Sequence, residues 1–391
     1  MAISKGKACT GCSACANICP HSCIVMASNS EGFIYPTIDT NKCTNCNLCQ
    51  KVCPLNNIQL QPCEPLSVIG CRIKSTENLL RASSGGMFGL LASTFIKNGG
   101  IVVAARFNSD NNVVHEICTT LQDIKHFTRS KYVQSNLGKI FQDIKEKLKE
   151  GTKVLFVGTP CQVSGLIAFM RKPNKLLYCI DFVCHGVPSP KVWNEYLTTL
   201  GPNVSQINFR DKESGWPNYS FSFIQNGHKH IQSSSQNPYM RGFLHNLYLR
   251  LSCHECHFKG FTSKADLTLS DFWGVWKNYP QWNDQQGAGV LAINTIKGQE
   301  LFNTLNKEDY EQISITVKQA FIDYNNSAYH ATPYTPKREI FFSRFEKEPL
   351  IPLIIELSKD SLSVRIKNYL SKIKHHFTDK KTINYLKKQS K

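Results

Sequence analysis

Between residues 9 and 54 one cysteine spacing is written twice: Cys9, Cys12, Cys15 and Cys19-Pro20, then Cys43, Cys46, Cys49 and Cys53-Pro54. Successive cysteines of each copy are separated by two, two and three residues. Three thiolates at such short intervals can wrap one face of a multinuclear centre, while the proline stops the loop from continuing as helix and redirects the fourth thiolate. A zinc site usually takes two separated cysteine pairs, which would leave the third cysteine of each copy without a role. A secreted disulfide framework would also be rich in cysteine. The opening residues Met1 to Lys5 carry no apolar run, however, so the expected compartment is a reducing cytoplasm.

The doubled spacing resembles that of bacterial two-cluster ferredoxins, in which the fourth cysteine of each copy ligates the other cluster. That resemblance assigns Cys9, Cys12, Cys15 and Cys53 to one 4Fe-4S cubane, and Cys43, Cys46, Cys49 and Cys19 to a second. The crossing ties both copies into one small ferredoxin-type domain, expected over residues 1–62, which also holds Cys23. So short a segment buries little, so the clusters are expected to act as its staples.

At 391 residues and 41% hydrophobic composition the chain has room for two or three domains. No run of about 18 apolar residues suggests a membrane span. The formal net charge of +17 resembles that of a nucleic-acid binder. Two oxidised cubanes would lower it to about +13, and much of the remainder sits near the C-terminus. The basic balance fits an acidic redox partner or an anionic cofactor equally well, and no nucleic-acid recognition module is present.

From residue 66 to about 330, strand patterns at 67–74, 101–107, 113–119, 153–157, 176–183, around 207, 219–224 and 290–294 alternate with helical ones near 86–98, 136–150, 161–171, 190–199 and 298–306. This alternation predicts an α/β or α+β domain with a mixed sheet. Asn226-Gly227 predicts a hairpin, and a helix is expected over 238–250. Ser83-Ser84-Gly85-Gly86 opens an apolar helix, where free N–H groups could meet a phosphate or simply form an N-cap. Thr159 is a natural N-cap and Pro160 a natural first helical residue, which puts Cys161 in a first turn that favours a thiolate. Cys184-His185-Gly186 ends a strand, and Cys253 with Cys256 could be half a metal site.

Taken together, Ser83 to Gly86, Ser130 to Ser135, Val157 to Gln162, Asp181 to Gly186, Arg250 to Cys253 and Ala265 to Gly274 resemble the beta subunits of coenzyme F420 (deazaflavin) hydrogenases and dehydrogenases. The resemblance covers about residues 66–300, and a fused two-cluster ferredoxin domain is frequent among the relatives. It implies an FAD-containing iron-sulfur flavoprotein oxidoreductase. Such a protein moves electrons between ferredoxin-type clusters and a hydride carrier or other small-molecule acceptor. Many bacterial relatives lie among polysaccharide-synthesis genes.

On that basis Ser83, Ser84, Gly85 and Gly86 are expected at the FAD pyrophosphate, with Lys131 as a charge partner and Thr159 nearby. Cys161, Cys184, Cys253 and Cys256 are expected to hold a third cubane. His185 and Lys131 are catalytic candidates, and His115, Arg210, Lys212 and Trp216 further site candidates. Cys23, Cys63, Cys71, Cys118 and Cys179 are expected to be small buried residues. Residues 331–391 read as a basic helical tail, whose part from about Ser358 onward could lie on an anionic membrane at its inner face or dock on a partner. The rival function is a non-catalytic protein that only relays electrons to a partner enzyme.

Overall fold

The computed structural model describes residues 6–56, 62–282 and 284–359. Its centre is a mixed sheet of eight strands in the order β13-β3-β12-β11-β7-β6-β4-β5. These strands are β3 (Ser67–Ile73), β4 (Ile101–Phe107), β5 (Val113–Cys118), β6 (Val154–Val157), β7 (Leu177–Phe182), β11 (Leu267–Asp271), β12 (Gly289–Ile293) and β13 (Tyr310–Ser314). From β4 through β6 and β7 to β11 the pairing is parallel; the outer pairings are antiparallel.

β6 shows why the sheet is central. All four of its residues are buried, as a parallel strand covered on both faces requires. Leu155 and Val157 join a core with Leu91 and Phe95 of the helix Met87–Lys97, while Val154 and Phe156 join one with Phe141 and Ile144 of the helix Ile140–Lys149. Alternate side chains therefore feed opposite layers.

A second sheet of three antiparallel strands, β8 (Val204–Asp211), β9 (Ser220–Gln225) and β10 (His228–Ser233), stands beside the first. Asn226 and Gly227 turn β9 into β10 with φ of 48° and 82°, as a two-residue hairpin of twisted strands demands. Its aromatic core, centred on Trp193, Phe209 and Tyr239, includes Phe341, Phe345, Leu353 and Ile354. Phe341 lies on the helix Lys337–Arg344, which Phe345 caps, and Leu353 and Ile354 lie on the helix Leu350–Leu357. Residues 331–359 are thus part of the folded body rather than of a solvated tail; the basic segment from 360 onward lies outside the described residues.

The expected helix over 238–250 ends at Leu244. Asn246 turns left-handed at φ 60°, and Leu249 then forms a bridge with Pro188. Four strands go beyond the sequence pattern: β1 (Ile24–Ser28) and β2 (Ile34–Ile38), which pair in the N-terminal domain, and β11 and β13.

The N-terminal domain packs directly on the body. Ala14 and Val52 enter the same core as Phe141, Val163 and Leu166. Asn17 Nδ2 donates to Gly138 O at 3.0 Å, and Gln142 Nε2 to Asn17 O at 2.7 Å. Across the same junction buried Arg338 grips both Glu31 carboxylate oxygens, at 3.0 and 2.5 Å.

Candidate functional site

In the N-terminal domain Cys19, Cys43, Cys46 and Cys49 line one cavity, together with Cys23. Cys9, Cys12, Cys15 and Cys53 form a second group: burial raises the Cys12 thiol and pushes Cys15 up to about 12, and each is raised further by Cys9 and by another member of the set. Both groups draw on both copies of the motif. Ser13, Asn45 and Asn47 take the left-handed region within these loops, at φ of 62°, 58° and 58°, a conformation that Asn tolerates better than most residues.

In the body, Cys161, Cys184, Cys253 and Cys256 line a single cavity. They arrive on three segments. Cys161 occupies the first turn of the helix Pro160–Met170, whose Thr159 and Gln162 form a capping box. Cys184 follows the end of β7, and Cys253 ends the short 3-10 turn Leu251–Cys253, three residues before Cys256. Gly186, at φ 148°, brings the chain so close that a Cβ there would stand 3.2 Å from Cys253 Cβ.

The first turn does not lower Cys161 as its sequence position suggests. Burial pushes it up to about 11, with Cys256 adding to the effect, and raises Cys184, Cys253 and Cys256 too. As free thiols all four would be protonated, because a desolvated thiolate needs compensating positive charge. An iron centre would supply that charge and displace the protons. Among the described residues no three His, Cys, Asp or Glu side chains converge as on a single metal ion. A cubane differs in that its thiolates bind four separate irons and so stand further apart. The donor chemistry at all three thiol groups fits cubanes.

Lys259, missed in the sequence, lines the same cavity and donates to Cys184 O and Ser327 O, both at 2.6 Å. Asp181, also on the cavity wall, accepts from Ser263 Oγ at 2.5 Å and Thr268 Oγ1 at 2.6 Å; burial holds its carboxyl up at about 6. His185 Nε2 meets Asn246 Oδ1 at 2.7 Å, and burial lowers its pKa. It is a hydrogen-bonded residue of the cavity wall. The other histidine candidate, His115, lies between Ser135 Oγ and Val157 O, where burial brings it down to about 4 and keeps it neutral.

A separate neighbourhood gathers Ser83, Ser84, Lys131, Arg210, Lys212 and Trp216 from distant parts of the chain. Ser83 Oγ accepts from Ser130 N at 2.8 Å, and Trp216 Nε1 donates to Ser83 O at 3.2 Å. Lys212 Nζ donates to Leu79 O, Ser84 O and Gln286 O, and burial lowers it to about 7. Trp216 stacks on Trp273, their centroids 4.8 Å apart.

Several expected roles there meet obstacles. Gly85 is demanded by backbone contact, since a Cβ would lie 2.4 Å from Cys71 O and 2.6 Å from Gly289 N; Gly86, at φ 80°, sits against Ile73. Lys131 Nζ is held by the carbonyls of Phe127, Thr128 and Arg129 at 3.2, 2.7 and 3.0 Å, and burial lowers it to about 7. Its donors are spent on closing a helix end. Thr159 belongs to the Cys161 corner, with Oγ1 3.1 Å from that sulfur.

Arg210 carries the unexplained donors. It is buried, bonds to Asp271 Oδ2 at 3.0 Å and Tyr132 OH at 3.2 Å, and lies over Tyr219 and Trp273. Yet its Nε and Nη2 have no partner among the described residues. Buried donors of this kind are normally satisfied, so these two lack the partners that burial normally demands. Of the remaining cysteines, Cys23, Cys71, Cys118 and Cys179 are buried, whereas Cys63 is exposed at the segment joining the two domains.

Residues 151–318 match the family model for the C-terminal part of the coenzyme F420 hydrogenase/dehydrogenase beta subunit. Residues 8–57 match that of a 4Fe-4S dicluster domain. No curated protein matches significantly. Among solved structures, a chain from the F420-reducing [NiFe] hydrogenase complex of Methanosarcina barkeri is similar at 17% identity and a TM-score of 0.48, over 73% of this chain and 93% of that one.

Proposed function

Since the chain joins a 4Fe-4S dicluster domain to the C-terminal domain of the coenzyme F420 hydrogenase/dehydrogenase beta subunits, we propose that it is a flavin-dependent oxidoreductase fed through three iron-sulfur sites. The observation that carries this reading is the convergence of Cys161, Cys184, Cys253 and Cys256 on one cavity. When bound, a cubane exchanges one electron at a time and a flavin gathers two for a hydride.

The protein's own residues set the order. Cys19, Cys43, Cys46 and Cys49 hold the outermost site, and Cys9, Cys12, Cys15 and Cys53 the next. Cys12 faces the body: a Cβ on Gly165, one turn after Cys161, would stand 2.9 Å from Cys12 Sγ. Lys259 places a positive charge beside the third site, where it offsets the negative charge of bound thiolates.

For FAD, the neighbourhood of Ser83 and Ser84 supports the reading through Arg210 rather than Lys131. Arg210 Nε and Nη2 are covered in this structure, so a shift of the surrounding side chains would have to uncover them before they could donate to ring acceptors. The acceptor is a deazaflavin-type hydride carrier or another small molecule. After anaerobic purification the expected result is about one flavin per chain, and reduction of an added hydride carrier when reduced ferredoxin supplies electrons. Clusters without flavin would instead favour a protein that relays electrons to a partner enzyme.

A further inference from the structure

Arg250 is fully buried, and it lies where the N-terminal domain meets the four-cysteine cavity. Its Nε donates to Cys9 O at 2.8 Å, its Nη2 to Ile34 O at 3.0 Å and its Nη1 to Gln134 Oε1 at 3.3 Å. Two of the three bonds therefore cross from the body to the N-terminal domain. On its other side Arg250 lines the cavity, and its carbonyl accepts from Cys253 N at 2.9 Å. Tyr35 covers the guanidinium, its ring centroid 4.0 Å from Cζ.

All three acceptors are neutral, and among the described residues Arg250 forms no ion pair. A buried cation without a counter-charge is costly. Hydrogen bonds to neutral oxygens offset part of that cost but leave the charge uncompensated. The groups flanking it on both sides are cysteine sets that would be anionic with iron bound. Burial raises Cys161 and Cys253, and Arg250 is among the groups pulling each of them back down.

We infer that Arg250 is the shared counter-ion of two iron-sulfur sites, the one at Cys9, Cys12, Cys15 and Cys53 and the one at Cys161, Cys184, Cys253 and Cys256. This rests on the proposed third site. One electron leaves the first site and enters the second, and the same fixed positive charge stabilises the reduced form at either end. It also pins Cys9 to the segment that carries Cys253. Arg250 is thus a positioning residue for the handover between domains, and it leaves the outermost site, at Cys19, Cys43, Cys46 and Cys49, beyond its main influence.

The test is a potentiometric titration of the anaerobically purified full chain, followed by electron paramagnetic resonance. In Arg250→Gln the equilibrium constant for reduction should fall about tenfold at both flanking sites, a shift of about 59 mV. The outermost site should not move, and Arg250→Lys should fall less than Arg250→Gln at both flanking sites, because an ammonium keeps the charge while losing the guanidinium's fork of bonds. Unchanged potentials in an Arg250→Gln protein with full iron, or an equal shift at all three sites, would overturn the inference. Should Arg250→Gln not accumulate, the lysine variant decides alone: a tenfold fall there would assign the effect to the guanidinium's hydrogen bonds and not to its charge. A wild-type chain with about eight irons removes the third site itself, a different failure from unaltered potentials in a fully loaded variant.

Discussion

The chain builds thiol clusters in two ways. In the N-terminal domain each copy of the motif supplies four cysteines within eleven residues, and little else is present to fold around. In the body, four cysteines spread over residues 161 to 256 reach one cavity only because the end of β7, the start of the helix Pro160–Met170 and the turn at Leu251–Cys253 meet there. The first arrangement makes the fold depend on the metal. The second would make its proposed metal site depend on the fold.

Removing iron should separate the two regions most sharply. After chelation, residues 6–56 should become accessible to limited proteolysis, because a domain of this size stapled by clusters loses most of its folding free energy with them. The body should persist with its Trp193 core intact, while the Phe141 core loses only Ala14, Val52 and their neighbours from the N-terminal domain. Simultaneous loss of both would mean that the body also folds around metal. Next in size is Cys253→Ser, expected to remove about four irons per chain while leaving the N-terminal signals unchanged. Iron and sulfide assays with electron paramagnetic resonance would check it.

Arg338→Ala probes the junction between the regions. Its guanidinium is almost wholly buried, pairs with Glu31 at 2.5 Å and donates to Leu249 O at 2.6 Å. Breaking it should cost about 3 kcal/mol, read by denaturant unfolding. If the N-terminal domain is only loosely attached, the loss will be well under 1 kcal/mol.

His115 gives the body a pH signature. Burial holds its pKa near 4, against 6.5 in an exposed chain. The unfolded chain therefore takes up a proton that the native state refuses. The stability this contributes is present above pH 6.5 and is lost as pH falls towards 4, by at most about 3 kcal/mol. His115→Gln should flatten that part of the stability profile; an unchanged acid limb would assign it to other groups.

How much is legible in the sequence follows the same division. The N-terminal ladder can be read because its ligands are neighbours in the chain. The start of the helix Pro160–Met170 is legible for the same reason, through Thr159, Pro160 and Gln162. Lys131 misleads because what fixes its role is the set of carbonyls at Phe127, Thr128 and Arg129, which depends on how a short helix ends. The helices after residue 336 resemble a tail because charged residues hide an apolar stripe, Phe341, Phe345 and Leu353, that matters only once the aromatic core exists to receive it. Arg210 is one basic residue among several in the sequence, and its two orphaned donors emerge only when Tyr132, Asp271 and Trp273 have been folded around it.

We propose a third iron-sulfur site in the body, behind the two of the N-terminal domain. Iron and acid-labile sulfide per chain, measured on protein purified and reconstituted without oxygen, test it most directly. About twelve of each are expected. A value of about eight, unchanged when Cys161, Cys184, Cys253 and Cys256 are all replaced by serine, would contradict it.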